Sequence, residues 1–181
     1  LGSITKTFDG LLLSDAAQRG EVRLDDRLDA HLTELAGTPV GSVTLAELAS
    51  HRAGLPHMAR LDMVRVVAED LAGAALSDYT TGPPDRVIRD AGAIRLSGRG
   101  TMQYSNLGAS LLGFALTRAA GAPDWPSYVR ERLFEPLGMH DTLIAEPGRP
   151  ASDLMQPHQG LGRPTAPWTG SGYAPAGIGV T

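Results

Sequence analysis

At 181 residues, 42% hydrophobic and 20% charged, the chain has the size and composition of about one ordinary soluble globular domain with a sizeable core. A net charge of −4 and a pI near 5.7 give no electrostatic case for nucleic acid or an anionic membrane, and no apolar run approaches the roughly 18 residues of a membrane helix. Cysteine is absent, which removes disulfides, thiolate nucleophiles and cysteine metal sites.

The chain starts at Leu1, without an initiator Met or a basic-then-apolar leader. It is therefore expected to be a piece of a longer protein, with any targeting signal upstream. Thr5 to Arg19 reads as a helix in which Phe8, Leu11, Leu12 and Ala16 form an apolar stripe, ended by a left-handed Gly20. Glu21 to Leu35 reads as a polar connector followed by a short helical piece. Thr44 to Glu47 has the form of a capping box, with Val43 and Leu48 placed as a hydrophobic staple. The spacing predicts a short helix from Leu45 to about His51, stopped by Gly54 and Pro56. Leu61 to Leu71 has a helical pattern, with Met63, Val64, Val67 and Leu71 in phase. Ser77 to Pro84 is turn-rich, and Pro84 suits the first turn of a helix reaching about Ile94.

Ser97-Gly98-Arg99-Gly100-Thr101 is irregular and delivers the chain to Gln103-Tyr104-Ser105-Asn106. Leu107 to Ala120 is a strong amphipathic pattern ending at Gly121. Asp124 is placed to cap a further helix through Phe134, stopped by Pro136-Leu137-Gly138. From Glu146 onward Pro and Gly dominate, and Tyr173 to Thr181 has the look of a strand beginning. No internal repeat or low-complexity segment is present. The predicted elements are mostly helical.

Two residue counts point to chemistry. Of 16 basic residues only Lys6 is a lysine, and Asn106 is the single asparagine. A serine hydroxyl becomes a useful nucleophile when a neighbouring base takes its proton. Lysine can be that base when its amine is neutral part of the time, whereas arginine cannot be usefully deprotonated. Ser3 and Lys6 are three apart at a helix start, on one face, with a backbone N–H and positive potential where an acyl oxyanion would form. The competing reading of Lys6 is a solvated first-turn residue. A lone lysine follows some serine at that distance about 6% of the time by chance, so the pair alone is weak. Tyr104-Ser105-Asn106, on a Gly-rich loop before a helix, adds a second and independent coincidence, the alternative being a helix cap at Asn106.

These segments resemble the serine β-lactamase and penicillin-binding-protein superfamily. The resemblance rests on Gly2-Ser3-Ile4-Thr5-Lys6, Tyr104-Ser105-Asn106 and Ser50-His51-Arg52-Ala53-Gly54-Leu55-Pro56. Leu24-Asp25-Asp26, Glu135-Pro136-Leu137-Gly138-Met139 and Pro175-Ala176-Gly177 agree with it, and the pattern is most similar to class C β-lactamases, DD-peptidases and family VIII esterases. It implies an α+β, β-lactamase/transpeptidase-like fold, with residues 1–181 a partial domain: the nucleophile helix plus the helical subdomain. The family's amino-terminal strands and its Lys/His-Thr-Gly-type third motif, which supplies the second oxyanion donor, are not found before Thr181.

By resemblance, Ser3 forms the acyl-enzyme and Lys6 helps remove its proton. Tyr104 shuttles a proton to the leaving group and later helps activate water. Asn106 bonds the substrate's acyl side chain and Lys6, and the Ser3 N–H is half of the oxyanion hole. Gln103 is placed to line the site mouth. The expected substrates are β-lactams, D-alanyl peptides or small esters, with neither cofactor nor metal. The family leans towards the cell envelope or secretion, with the cytoplasm open to an esterase. The alternative is a catalytically incomplete relative that binds a ligand or partner without turnover.

Other candidates carry less. The five histidines form no metal signature, and His51 reads as a helix-end residue bonding backbone carbonyls. Ser110 lacks a G-x-S-x-G elbow and lies mid-helix. Asp25-Asp26 reads as a solvated turn, because adjacent positions do not face each other. Met58, Met63 and Met102 read as core in preference to an acyl pocket.

Overall fold

The computed structural model describes residues 1–59, 83–144 and 172–177, together with positions 156, 158, 162 and 164. The expected helix over Leu61 to Leu71, Met63, and most of the turn-rich loop before Pro84 lie outside the described residues. Among the described residues six α-helices run in chain order: α1 (Lys6–Gln18), α2 (Leu28–His31), α3 (Leu45–Ala49), α4 (Pro84–Ala91), α5 (Asn106–Ala119) and α6 (Trp125–Val129). Short 3₁₀ turns precede α1 (Gly2–Thr5) and follow α2 (Thr33–Leu35, Val40–Ser42). A π-type turn, Arg130–Phe134, continues α6. Among the described residues strand pairing is limited to two isolated bridges, Arg27 with Thr44 and His158 with Pro164.

Helix α5 is the axis on which the others pack, in contact with α1, α2, α3, α4 and α6. The amphipathic reading of this segment is corrected here: every residue from Asn106 to Thr117 is buried, as in a core helix that is apolar all round. Its small residues admit close neighbours. A Cβ on Gly113 would meet Pro175 and the Trp125 ring. Ser105 caps the helix by accepting the Gly108 N–H, so Asn106 is the first helical residue and not the cap.

The face that α1 buries also differs from the expected stripe. Phe8, Asp9, Leu12, Leu13 and Ala16 are inside, while Leu11 is exposed. The stripe is rotated because α5 and the Arg130–Phe134 turn cover the 8-9-12-13-16 side, where the Phe8 and Phe134 rings meet edge-on at 5.2 Å. Gly20 is left-handed, with φ 72°, as the sequence predicts. The Thr44–Glu47 capping box forms with both of its reciprocal bonds, and Val43 and Leu48 are core residues. Asp124 caps α6 and Pro84 opens α4. Helices α3 and α4 stop at Ala49 and Ala91, short of His51 and Ile94, as their backbones tighten into turns. Residues Tyr173 to Gly177 form a buried turn in place of the expected strand start, closed by the Ala176 N–H to Tyr173 and the Gly177 N–H to Ala174. Asp26 accepts the Arg23 N–H and pairs with His31, and Asp25 pairs with Arg23, in keeping with a turn. Met58 is core, but Met102 is exposed.

Two irregular segments are laced together. Ser97 N–H bonds the Gly54 carbonyl, Gly100 N–H that of Arg52, and Gln103 N–H that of His51. Gly54, at φ 72°, has no room for a Cβ against the backbone of Ser97 and Arg99. Arg99 then clamps the pair onto α3: it forks to both Glu47 carboxylate oxygens at 2.7 Å and also bonds Ser42. The Arg99 hydrogen bond is the main lowering influence on the Glu47 pKa and outweighs the opposing effect of burial.

Arg99→Ala is expected to lower stability by about 1–2 kcal/mol, since it strips a partly exposed fork and leaves the capping-box carboxylate half-paired. Because the Glu47 pKa is depressed in the fold, this contribution is present above its ordinary value of 4.5 and lost as pH falls below it. Denaturant midpoints of both proteins at neutral and acid pH check this: the gap should narrow in acid.

Candidate active site

Ser3 lies in the 3₁₀ turn that leads into α1, one residue after Gly2, whose φ is 56°. Lys6 opens α1. From there its Nζ donates to Ser3 Oγ at 3.2 Å and to the Ala176 carbonyl at 2.6 Å. The Tyr104 hydroxyl donates to the same Ser3 oxygen at 2.7 Å, and Lys6 Nζ stands 4.9 Å from the Tyr104 ring centre. Ser3, Lys6 and Tyr104, the first two separated from the third by about a hundred positions, thus meet at one oxygen.

The turn of residues 173–177 sets the Ser3 backbone. Gly177 has φ 108°, and a Cβ on it would run into the Gly2 carbonyl and crowd the Ser3 nitrogen. Pro175 of the same turn packs on Gly113 of α5, and the Tyr173 hydroxyl accepts the Ala59 N–H at 3.4 Å.

Tyr104 is held by two histidines. His51 has φ 56°, an uncommon conformation for a residue with a side chain, and one that costs of order 1–3 kcal/mol. It uses the carbonyl to accept the Gln103 N–H at 2.7 Å and Nδ1 to accept the Ser105 N–H at 3.2 Å, so it clamps both sides of Tyr104. Its ring lies 4.7 Å from that of Tyr104. This corrects the expectation that His51 bonds backbone carbonyls: a ring nitrogen that accepts an N–H must be unprotonated. Burial, helped by the Lys6 charge, pushes the His51 pKa down, in keeping with a neutral ring. The His57 ring stacks on Tyr104 at 5.7 Å, and its carbonyl accepts the N–H groups of Asn106 and Leu107.

Asn106 is buried one turn away. Its amide nitrogen is 3.3 Å from His57 Nε2, and its Oδ1 has no partner among the described residues. The side-chain bond therefore runs to His57 and not to Lys6, because the first turn of α5 points that residue at the histidine. Gln103 is exposed, with its side-chain amide resting against Gly98.

Opposing influences act on the Tyr104 phenol. Burial pushes its pKa up, but the Lys6 and Ser3 hydrogen bonds and the Lys6 charge together outweigh that and bring it below the ordinary value of 10.0. Its proton is thereby easier to give. Among the described residues no group of three His, Asp or Glu side chains is placed to hold a metal ion, and no helix is long and apolar enough to cross a membrane.

Sequence reasoning underweighted His57, read only as a metal ligand that failed, and passed over Asp9 and the Ala176 carbonyl. Their roles come from contacts between distant segments that no local spacing signals.

The family model described as Beta-lactamase matches residues 1–181. The chain is 31% identical over 147 residues to a Beta-lactamase of Escherichia coli (strain K12), covering 81% of this chain and 35% of that protein. It is also 31% identical over 149 residues to Beta-lactamase-like protein 2 of Dictyostelium discoideum, covering 77% and 25%. Among solved structures it is similar to the D-alanine carboxypeptidase AmpC from Burkholderia cenocepacia, at 30% identity and TM-score 0.74 over 99% of this chain and 44% of that one. A class C beta lactamase from Rhodobacter sphaeroides gives 27% identity and TM-score 0.76, over 99% and 46%. The chain thus spans between a quarter and about a third of those curated relatives, and under half of the solved chains. The fold is the helical part of the α+β β-lactamase architecture, and the chain belongs to the beta-lactamase family within the serine β-lactamase and penicillin-binding-protein superfamily.

Proposed function

We propose that this chain carries the acylation site of a serine hydrolase whose substrates are β-lactams, D-alanyl peptides or small esters. One observation carries the reading: a single serine oxygen, Ser3 Oγ, is hydrogen-bonded by both Lys6 Nζ and the Tyr104 hydroxyl. A nucleophile shared by two groups able to take its proton is what acyl transfer needs. Lys6 as free amine, or Tyr104 as phenolate, accepts the Ser3 proton while Oγ bonds to the substrate carbonyl carbon. The carbonyl oxygen takes up the electron pair, facing the Ser3 backbone N–H. When the carbonyl re-forms, the bond to the leaving group breaks and Tyr104 hands that group a proton. Water attacking the acyl-enzyme reverses these proton movements and frees Ser3.

The buried Oδ1 of Asn106, without a partner among the described residues, serves as acceptor for the amide N–H of an acyl side chain, and Gln103 contributes to the rim. In this reading residues 1–181 supply the nucleophile half of a larger domain, and a third-motif strand outside them provides the second oxyanion donor.

A fluorophosphonate or fluorescent penicillin should form an adduct on Ser3 in the protein at its full natural length, and Ser3→Ala should abolish it. Intact-mass spectra showing no adduct on the unaltered protein would sink the hydrolase reading in favour of a binding protein without turnover. Rates on a chromogenic cephalosporin and a p-nitrophenyl ester then sort lactamase from esterase. Lys6→Arg keeps the charge but cannot give it up, so acylation should fall about 10²–10⁴-fold, and unchanged kinetics would remove Lys6 from its role. Gly177→Ala should push the Gly2–Ser3 backbone aside and slow acylation by about tenfold or more in stopped-flow labelling, while circular dichroism remains that of the folded protein.

A further inference from the structure

Beneath the Ser3–Lys6–Tyr104 cluster, on the core side of α1, lies a carboxyl group that the acylation scheme does not use. Asp9 is 1% exposed. One of its oxygens, Oδ1, accepts the Trp125 indole N–H at 2.9 Å, and the other, Oδ2, has no hydrogen-bond partner among the described residues. Buried carboxylates are ordinarily paired, so a free buried oxygen calls for an explanation. Lys6 is one helical turn earlier on the same face. A pocket of about 40 Å³ lies between them, with Leu48 and Leu112 as apolar wall and His51 at its edge. That volume accommodates a water, and Lys6 and Asp9 both line it.

We propose that Asp9 is a positioning residue for Lys6, the two forming a proton-sharing pair bridged by a water in this pocket. In the exchange, an N–H bond of the Lys6 ammonium breaks, the water relays the proton, and an O–H bond forms on Asp9. An ammonium and a carboxylate become an amine and a carboxylic acid, with no change in total charge. Burial is the largest influence on Asp9 and pushes its pKa well above the carboxylate range, against the opposing pull of the Trp125 hydrogen bond and the Lys6 charge. With the proton on Asp9, Lys6 presents a free lone pair to Ser3. Among the described residues, the ionisable groups facing this pair are His51, which lines the pocket, and Tyr104, which reaches Lys6; the Trp125 indole of α6 only donates.

The inference rests on the reading of Lys6 as a base only for its consequence in catalysis; the pairing itself is measured without turnover. In the protein at its full natural length, [¹⁵N]lysine labelling with Lys6→Arg as the assignment control identifies the Lys6 Nζ resonance. In the wild-type protein that resonance should titrate in more than one step, as coupled sites do. Tyr104→Phe and His51→Gln identify the steps those two groups contribute. Asp9→Asn keeps the acceptor for Trp125 but cannot ionise. It should delete a step that survives in the other two variants. A curve that keeps every step in Asp9→Asn overturns the proposal. If that variant does not fold, the remaining curves decide: a second step, beyond the amine's own, surviving in both Tyr104→Phe and His51→Gln supports the pair, and its absence overturns it. Fluorophosphonate labelling of the same samples separates the two readings, since a coupled titration without a Ser3 adduct sinks the hydrolase and leaves the pair.

Discussion

Three backbones converge where the turn of residues 173–177 wedges between α5 and the start of α1, and the site depends on that convergence. Gly113 makes room for Pro175, Gly177 makes room for the Gly2 carbonyl, and the intervening Ala176 carbonyl accepts a hydrogen bond from Lys6 Nζ at 2.6 Å. The wedge is wholly buried, so its position is set by close packing and cannot drift independently of the helices. A side chain added at either glycine would meet main chain or ring atoms, which have no rotamer to move into. Through this contact the core helix and the nucleophile turn are one mechanical unit.

The charged groups divide the work in a way that explains the composition. Arginines build the scaffold: Arg99 forks to Glu47, Arg118 to Glu34, and Arg132 bridges Asp15 and Glu21. Planar, permanently charged guanidinium groups suit these bidentate tasks. The one lysine sits in the cluster at Ser3, among neutral hydrogen-bonding groups: a serine, a phenol and a peptide carbonyl. Among the described residues no carboxylate bonds it directly. The neutral His51 orders the Tyr104 loop without adding a charge.

A comparable economy governs how Tyr104 is delivered. Its loop contains two glycines and no regular structure, yet its tyrosine must stand 2.7 Å from an oxygen a hundred positions earlier. Precision comes from outside the loop: the Arg99 clamp on α3, the lacing of residues 97–103 to residues 51–54, and the left-handed His51 at the crossing. Strain at His51 is tolerated because its carbonyl and ring together satisfy the N–H groups of Gln103 and of the buried Ser105.

Much of this was legible in one dimension. Local hydrogen-bond chemistry at Thr44, Pro84, Asp124 and Gly20 named the element boundaries, because caps and left-handed turns are decided within four residues. The Ser3–Lys6 spacing likewise needs only the geometry of one helical turn. Other features followed from tertiary contacts. Which side of α1 is buried was decided by the Arg130–Phe134 turn, and α5 proved buried all round because helices close in on every side. Tyr173 to Gly177 became a turn because its backbone had to fit two glycines from elsewhere. Asn106 faces His57, and Asp9 meets the Trp125 indole, through packing between segments that sequence distance hides. The residue types able to do acyl-transfer chemistry were thus set by the sequence. Their meeting at one oxygen, and the burial that tunes their protons, were set by the fold, since burial and distance are properties of the packed chain alone.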